Sequence, residues 1–105
     1  MEKRTPHYRL SEIQAQMDTV QGLRLTESAK VGIRRAGMTN MDAVEVIHSL
    51  SRRNFYKSMT TNADHRIWQD VYHAEWNELE LYVKFQRDAA GFYFMISFKP
   101  LREAP

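Results

Sequence analysis

The 105-residue chain has no cysteine, which excludes a disulfide framework and a thiolate metal site and leaves nothing to argue for secretion. It has only four glycines and three prolines. Glycine-rich phosphate loops, dinucleotide motifs, low-complexity segments and interdomain linkers are all missing. No apolar run approaches the length needed to span a membrane, and the opening Met1-Glu2-Lys3-Arg4-Thr5-Pro6 lacks the apolar stretch of a signal peptide. A single cytoplasmic domain covering residues 1–105 is the expectation. Charge is nearly balanced, at +2 with a pI near 9.0, so composition permits an anionic partner without demanding one. The four histidines, His7, His48, His65 and His73, form neither an i, i+4 pair nor a ligand triad. Asp64, Asp70 and Glu75 are able to bind magnesium weakly, but nothing in their spacing requires it. No metal and no cofactor are expected.

What is present divides the chain into two halves. Ser11 followed by Gln14 makes a capping-box signature, and Leu10, Ile13, Met17 and Val20 keep helical spacing up to Gly22. Leu23-Arg24-Leu25 is a short extended piece. Thr26 with Glu27 opens a second helix that bears Ala29, Ile33 and Ala36 on one side and ends at Gly37. Thr39 or Asn40 caps a third, with Ala43, Val44, Ile47 and Leu50 as its apolar stripe. From Phe55 the period changes from 3.6 to 2. Phe55 to Thr60 and Ile67 to Tyr72 are predicted strands, Thr61 to His65 a polar loop and His73 to Glu78 a connection. Helices followed by strands predict an α+β domain, with the N-terminal helices packed on one face of an antiparallel sheet.

The clearest alternation comes last. Leu79, Leu81, Val83 and Phe85 alternate with Glu80, Tyr82, Lys84 and Gln86; beyond Asp88-Ala89-Ala90-Gly91, Phe92, Phe94, Ile96 and Phe98 alternate with Tyr93, Met95, Ser97 and Lys99. This predicts a hairpin with one apolar face and one open face carrying Tyr82, Tyr93, Lys84 and Lys99. Setting Arg87 opposite Phe92 puts Tyr82 across from Ser97 and Glu80 across from Lys99. Aromatic rings among ammonium groups suit stacking on bases and neutralising phosphates. A surface ion pair between Glu80 and Lys99 beside solvent-facing tyrosines is the plainer alternative. Lys57, between Phe55 and Met59, is either an edge residue or a charge set beside a cleft. His65, next to Asp64, either acts as an acid or base near neutral pH or holds its loop together.

The runs Phe55-Tyr56-Lys57-Ser58-Met59-Thr60-Thr61, Asp64-His65 and Ile67-Trp68-Gln69-Asp70-Val71-Tyr72 resemble the motility quorum-sensing regulator (MqsR) family of bacterial toxins. The opening Met1 to His7 with Arg9-Leu10-Ser11, and the closing Ser97-Phe98-Lys99, resemble it too, whereas the similarity is weak between Gln14 and Leu50. The resemblance implies a RelE-like fold and an mRNA interferase, an endoribonuclease toxin of a type II toxin–antitoxin system that arrests growth. It implies cleavage at GC-containing triplets, GCU above all, without the ribosome. It also implies a cognate antitoxin with a zinc-binding domain and a helix-turn-helix DNA-binding domain. The catalytic positions it implies are Lys57, Gln69, Tyr82 and Lys99; Lys84 and Tyr93 on the open face of the hairpin and His65 in the polar loop are the further RNA contacts expected from the residues themselves.

Metal-free cleavage uses the substrate's own 2′-hydroxyl and leaves a 2′,3′-cyclic phosphate and a 5′-hydroxyl. Lys57 and Lys99 would supply charge, Tyr82 would move a proton as a lysine-favoured phenolate, and Gln69 would position phosphate or base. Two rivals stay open: a non-catalytic RNA-binding module, which would use the same tyrosines and lysines, and a protein-interaction domain. One tension is visible in the strands. If they are regular, Lys57 shares its face with Phe55 and Met59, and Gln69 shares its face with Ile67 and Val71. Either apolar residues line the cleft or a bulge re-aims the polar ones.

Overall fold

The computed structural model describes Met1 to Ala104. Among these residues the chain forms a five-stranded antiparallel sheet with strands in sequence order, and three α-helices on one side of it. The strands are β1 (Glu2–Lys3), β2 (Phe55–Thr60), β3 (Trp68–Trp76), β4 (Leu79–Arg87) and β5 (Tyr93–Pro100); the helices are α1 (Leu10–Gln16), α2 (Glu27–Arg35) and α3 (Asn40–Ser49). This is the α+β arrangement expected from the period change. No helix among the described residues is long and apolar enough to cross a membrane.

Local chemistry explains the helix ends. The Thr26 hydroxyl accepts the Ala29 N–H at 3.1 Å, and Thr39 and Asp42 form a reciprocal capping box. Gly37 ends α2 at φ 73°, a conformation open to glycine at little cost. The expected first cap is corrected. Arg9 occupies the N-cap of α1 without a side-chain bond, and Ser11 lies inside the helix. Gln14 works elsewhere: its amide donates to the carbonyls of Ile47 and Leu50 at the end of α3, at 3.0 and 2.9 Å. The helix also stops at Gln16, because the chain folds back so closely that Gly22 lies against the Gln16 carbonyl; a Cβ there would be 2.0 Å from that oxygen.

The connection expected from His73 to Glu78 is also corrected. β3 continues through Trp76, and only Asn77 and Glu78 turn the chain, both at positive φ (43° and 69°). Two successive residues in that region give the tight hairpin turn whose twist matches the strands.

The last hairpin departs from the trial register. Arg87 pairs with Tyr93, Phe85 with Met95, Lys84 with Ser97, Val83 with Phe98 and Tyr82 with Lys99. Ile96 is an extra residue, a bulge that reverses the alternation. Leu81, Val83 and Phe85 face the helices as expected, and so does Phe98. Before the bulge the core residues are Tyr93 and Met95, whereas Phe92 is exposed and Phe94 and Ile96 are only partly buried. Glu80 pairs with Glu75 instead of Lys99.

β5 would be a bare sheet edge, but three contacts cover it. The Gln16 side-chain amide brackets Tyr93, accepting its N–H and donating to its carbonyl, both at 2.7 Å. Arg24 and Thr26 exchange backbone bonds with Met95 at 2.9 and 3.2 Å. Helix α2 then packs on the strand at Gly32, where a Cβ would fall 1.7 Å from the Phe98 carbonyl oxygen. Gly32→Ala should therefore force α2 off β5 and cost about 3 kcal/mol of stability, as overpacking against backbone does. A urea titration should show the midpoint falling accordingly.

Candidate functional site

Opposite the helices the sheet is open, and its side chains fall into transverse rows set by strand pairing. One row reads Tyr56, His73, Tyr82 and Lys99. The next reads Lys57, Val71, Lys84 and Ser97, and a third reads Met59, Gln69, Gln86 and Phe94. Neighbours within a row are about 4.8 Å apart and successive rows about 7 Å apart along the strands, so the tips of long side chains in neighbouring rows reach one another. Lys57, Lys84, Lys99 and Tyr82 thus occupy two adjacent rows, with Gln69 one row further.

The strand tension resolves both ways. Phe55 pairs with Tyr72 and Lys57 with Val71, so Tyr56 is an extra residue and the bulge turns Tyr56 and Lys57 to the open face together. Phe55 remains on the helix side, edge-on to Tyr72 with 5.5 Å between ring centroids. β3 is regular, so Gln69 shares its face with Val71. Val71 is fully buried and floors the cleft between Lys57 and Lys84. β1 pairs outside β2 at Ser58 and Met59, and the Lys57 ammonium beside that pairing is held by Glu2.

Burial and charge together set the protonation states. Tyr82 is 7% exposed, and burial raises its pKa although Lys57 pulls the other way. The phenolate expected beside a lysine is therefore corrected: Tyr82 is a neutral phenol, with Lys99 Nζ 5.5 Å from its ring centroid. Lys84 is half-buried, and burial, then Lys99, then Lys57 lower its pKa. Lys57 donates to the Glu2 carboxylate at 2.5 Å; that bond raises the lysine's pKa and lowers the glutamate's. The Gln69 side-chain amide donates to Oε1 of Gln86 at 2.8 Å.

Other expected residues lie apart. Tyr93 is withdrawn from the open face: it is 4% exposed on the helix side, and its hydroxyl donates to Glu12 at 2.7 Å. The bulge at Ile96 is the reason, since it inverts parity on the stretch before it. His65 is exposed in the loop between β2 and β3, and among the described residues no hydrogen bond or ring contact ties it to the cluster. Asp70 is fully buried and accepts N–H bonds from His7 and Tyr8 at 2.9–3.1 Å, while Asp64 pairs with Arg66. Among the described residues no three His, Asp or Glu side chains gather as metal ligands.

Two residues of the face escaped the sequence: Tyr56, turned over by its bulge, and His73, assigned to a connection. Their rings stack at 4.3 Å between centroids and 21° between planes. The alternation running on through Ala74-Glu75-Trp76 was the available signal for His73.

A sheet face with three lysines, a neutral phenol and paired amides is a cationic surface of the kind that suits a polyanion. Residues 5–100 match the family described as motility quorum-sensing regulator, toxin of MqsA. A curated relative, the mRNA interferase toxin MqsR of Escherichia coli (strain K12), is 44% identical over 84 residues, covering 80% of this chain and 85% of that protein. The chain belongs to the MqsR toxin family.

The Glu2 carboxylate now neutralises one of the three ammonium groups. Glu2→Gln should tighten oligonucleotide binding several-fold and steepen its salt dependence by about one counterion. Fluorescence anisotropy of a labelled RNA across a salt series measures both.

Proposed function

We propose that the open sheet face is the cleavage surface of a sequence-selective, metal-independent endoribonuclease. As an MqsR-family toxin the chain is an mRNA interferase of a toxin–antitoxin system. The observation that carries the site is the meeting of Lys57, Lys84 and Lys99 around the neutral phenol of Tyr82 on a face open to an extended strand.

The chemistry follows from those groups. Lys57 and Lys99 neutralise the non-bridging oxygens of one phosphodiester as charge builds on it. Lys84, between them, holds the RNA backbone. The 2′-oxygen attacks the adjacent phosphorus, and the bond to the 5′-oxygen breaks. Tyr82, kept protonated by burial, gives its proton to that leaving oxygen. Gln69 positions the nucleotide through its amide, and His65 touches the RNA beyond the third row. The products are a 2′,3′-cyclic phosphate and a 5′-hydroxyl end. GC-containing triplets such as GCU are the preferred sites. The controlling partner is a small antitoxin with a zinc-binding N-terminal domain and a helix-turn-helix domain.

Lys57→Ala, Tyr82→Phe and Lys99→Ala should each slow cleavage by about 10²–10³, the usual loss for one transition-state donor. Each should relieve growth arrest on expression while the protein stays folded by circular dichroism. Folded variants that all cleave at the wild-type rate would remove these residues from the reaction.

Incubation of the pure protein with a defined RNA in excess chelator should leave cleavage undiminished. End analysis should find cyclic phosphate and 5′-hydroxyl termini, and a 2′-deoxy nucleotide at the cut site should block the reaction. RNA bound but left intact would instead identify a non-catalytic RNA-binding face. Loss in chelator with recovery in magnesium would overturn the metal-free route.

A further inference from the structure

Cleavage by the 2′-oxygen needs a proton acceptor, and the groups assigned so far do not supply one. Lysines 57 and 99 act as cations, Tyr82 is an acid, the Gln69 amide moves no proton at ordinary pH, and the Glu2 carboxylate is engaged by Lys57. We propose that His73 is a catalytic residue that takes the proton from the 2′-hydroxyl, an assignment that rests on the function proposed above.

The placement is specific. His73 lies on β3 directly across from Tyr82, which lies directly across from Lys99. Base, acid and cation therefore stand in one row over three adjacent strands. In-line displacement needs base and acid on opposite sides of the phosphorus, so they must be separated rather than touching. The ring centroids of His73 and Tyr82 are 6.3 Å apart and tilted by 41°, so the two rings do not stack on each other and a phosphate lying over the row meets both. On the other side the imidazole is clamped by its stack on Tyr56, and Asn54 donates to the His73 carbonyl at 3.0 Å, holding the backbone. No hydrogen bond among the described residues occupies either ring nitrogen.

The surrounding charges fit a resting neutral base. Tyr56 and Lys57 face His73 from β2, with the Arg4 guanidinium 5.9 Å from the Tyr56 ring centroid. Tyr82, Lys84 and Glu80 face it from β4, Lys99 stands beyond on β5, Glu75 is on its own strand, and Arg53 lies near Glu75. Burial lowers the histidine's pKa and Glu80 opposes it more weakly, so at neutral pH the ring accepts a proton. The balance is complete: the 2′-hydroxyl proton goes to His73, the 2′-oxygen bonds to phosphorus, the 5′-oxygen leaves with its electron pair, and it takes the Tyr82 proton. Proton exchange with water resets both residues.

The test uses His73→Phe, which keeps a flat ring against Tyr56 but accepts no proton, together with His73→Ala. Expected are a fall in kcat of about 10²–10⁴ with KM little changed, and loss of the imidazole-range rise in the pH–rate profile. Added imidazole should restore part of the activity of His73→Ala. Wild-type rates and pH dependence in His73→Phe, or a defect in KM alone, would overturn the assignment. If Tyr82→Phe and Lys99→Ala abolish cleavage while His73→Phe does not, the site stands and the base lies elsewhere. If none of the three variants matters, the site itself fails. Wild-type protein gives a check free of variants that misfold: the acidic limb of kcat/KM must coincide with the His73 titration followed by NMR, and a mismatch counts against the proposal.

Discussion

A β-strand shows each face of its sheet only every second residue, and the whole open face of this protein depends on where that rule is broken. β2 and β5 each carry one extra residue, Tyr56 and Ile96. Without the first, Lys57 would follow Phe55 toward the helices. Without the second, Lys99 would follow Tyr93 and Met95 into the core. Two of the three lysines thus reach solvent because a bulge shifts parity just before them, while Tyr82 and Lys84 ride on a regular β4.

The helix side makes those shifts affordable. A core built on Ile13, Met17, Ile33, Ile47, Phe85 and Phe98 fixes which residues of each strand must face inward. Once that set is buried, register slips that would expose it are strongly disfavoured. The covered edge at β5 and the close seat of α2 at Gly32 hold the strand that presents Lys99. At the opposite edge the N-terminal segment is tied down by three N–H bonds to the buried Asp70 carboxylate, which keeps Glu2 within reach of Lys57.

Protonation on the open face follows from partial burial more than from any single pair. The cleft floor at Val71 and the packed rows remove water from Tyr82, His73 and Lys84, and each is pushed toward its neutral form. Lys57 alone is pushed the other way, because a carboxylate sits on it. The result is a lysine-bearing surface on which a phenol and an imidazole are both biased toward their neutral forms.

The sequence by itself determined the class of the fold, the cap at Thr26, a cap at Thr39 or Asn40, the core side of β4 and the strand extent of β2. Those features rest on local periodicity and hydrogen-bonding chemistry, which a few consecutive residues carry. It also marked Tyr82, Lys84 and Lys99 as polar positions in an apolar alternation. Tertiary structure alone decided that Tyr93 belongs to the core, that Lys57 shares a face with Tyr82, and that His73 and Tyr56 stand beside it. A bulge is chosen by the packing of the residues on both sides of it. Phe98 and Met95 must both meet the helices although three positions separate them, an odd spacing that plain alternation forbids. No local pattern encodes that demand, because it arises only when the helices close over the sheet.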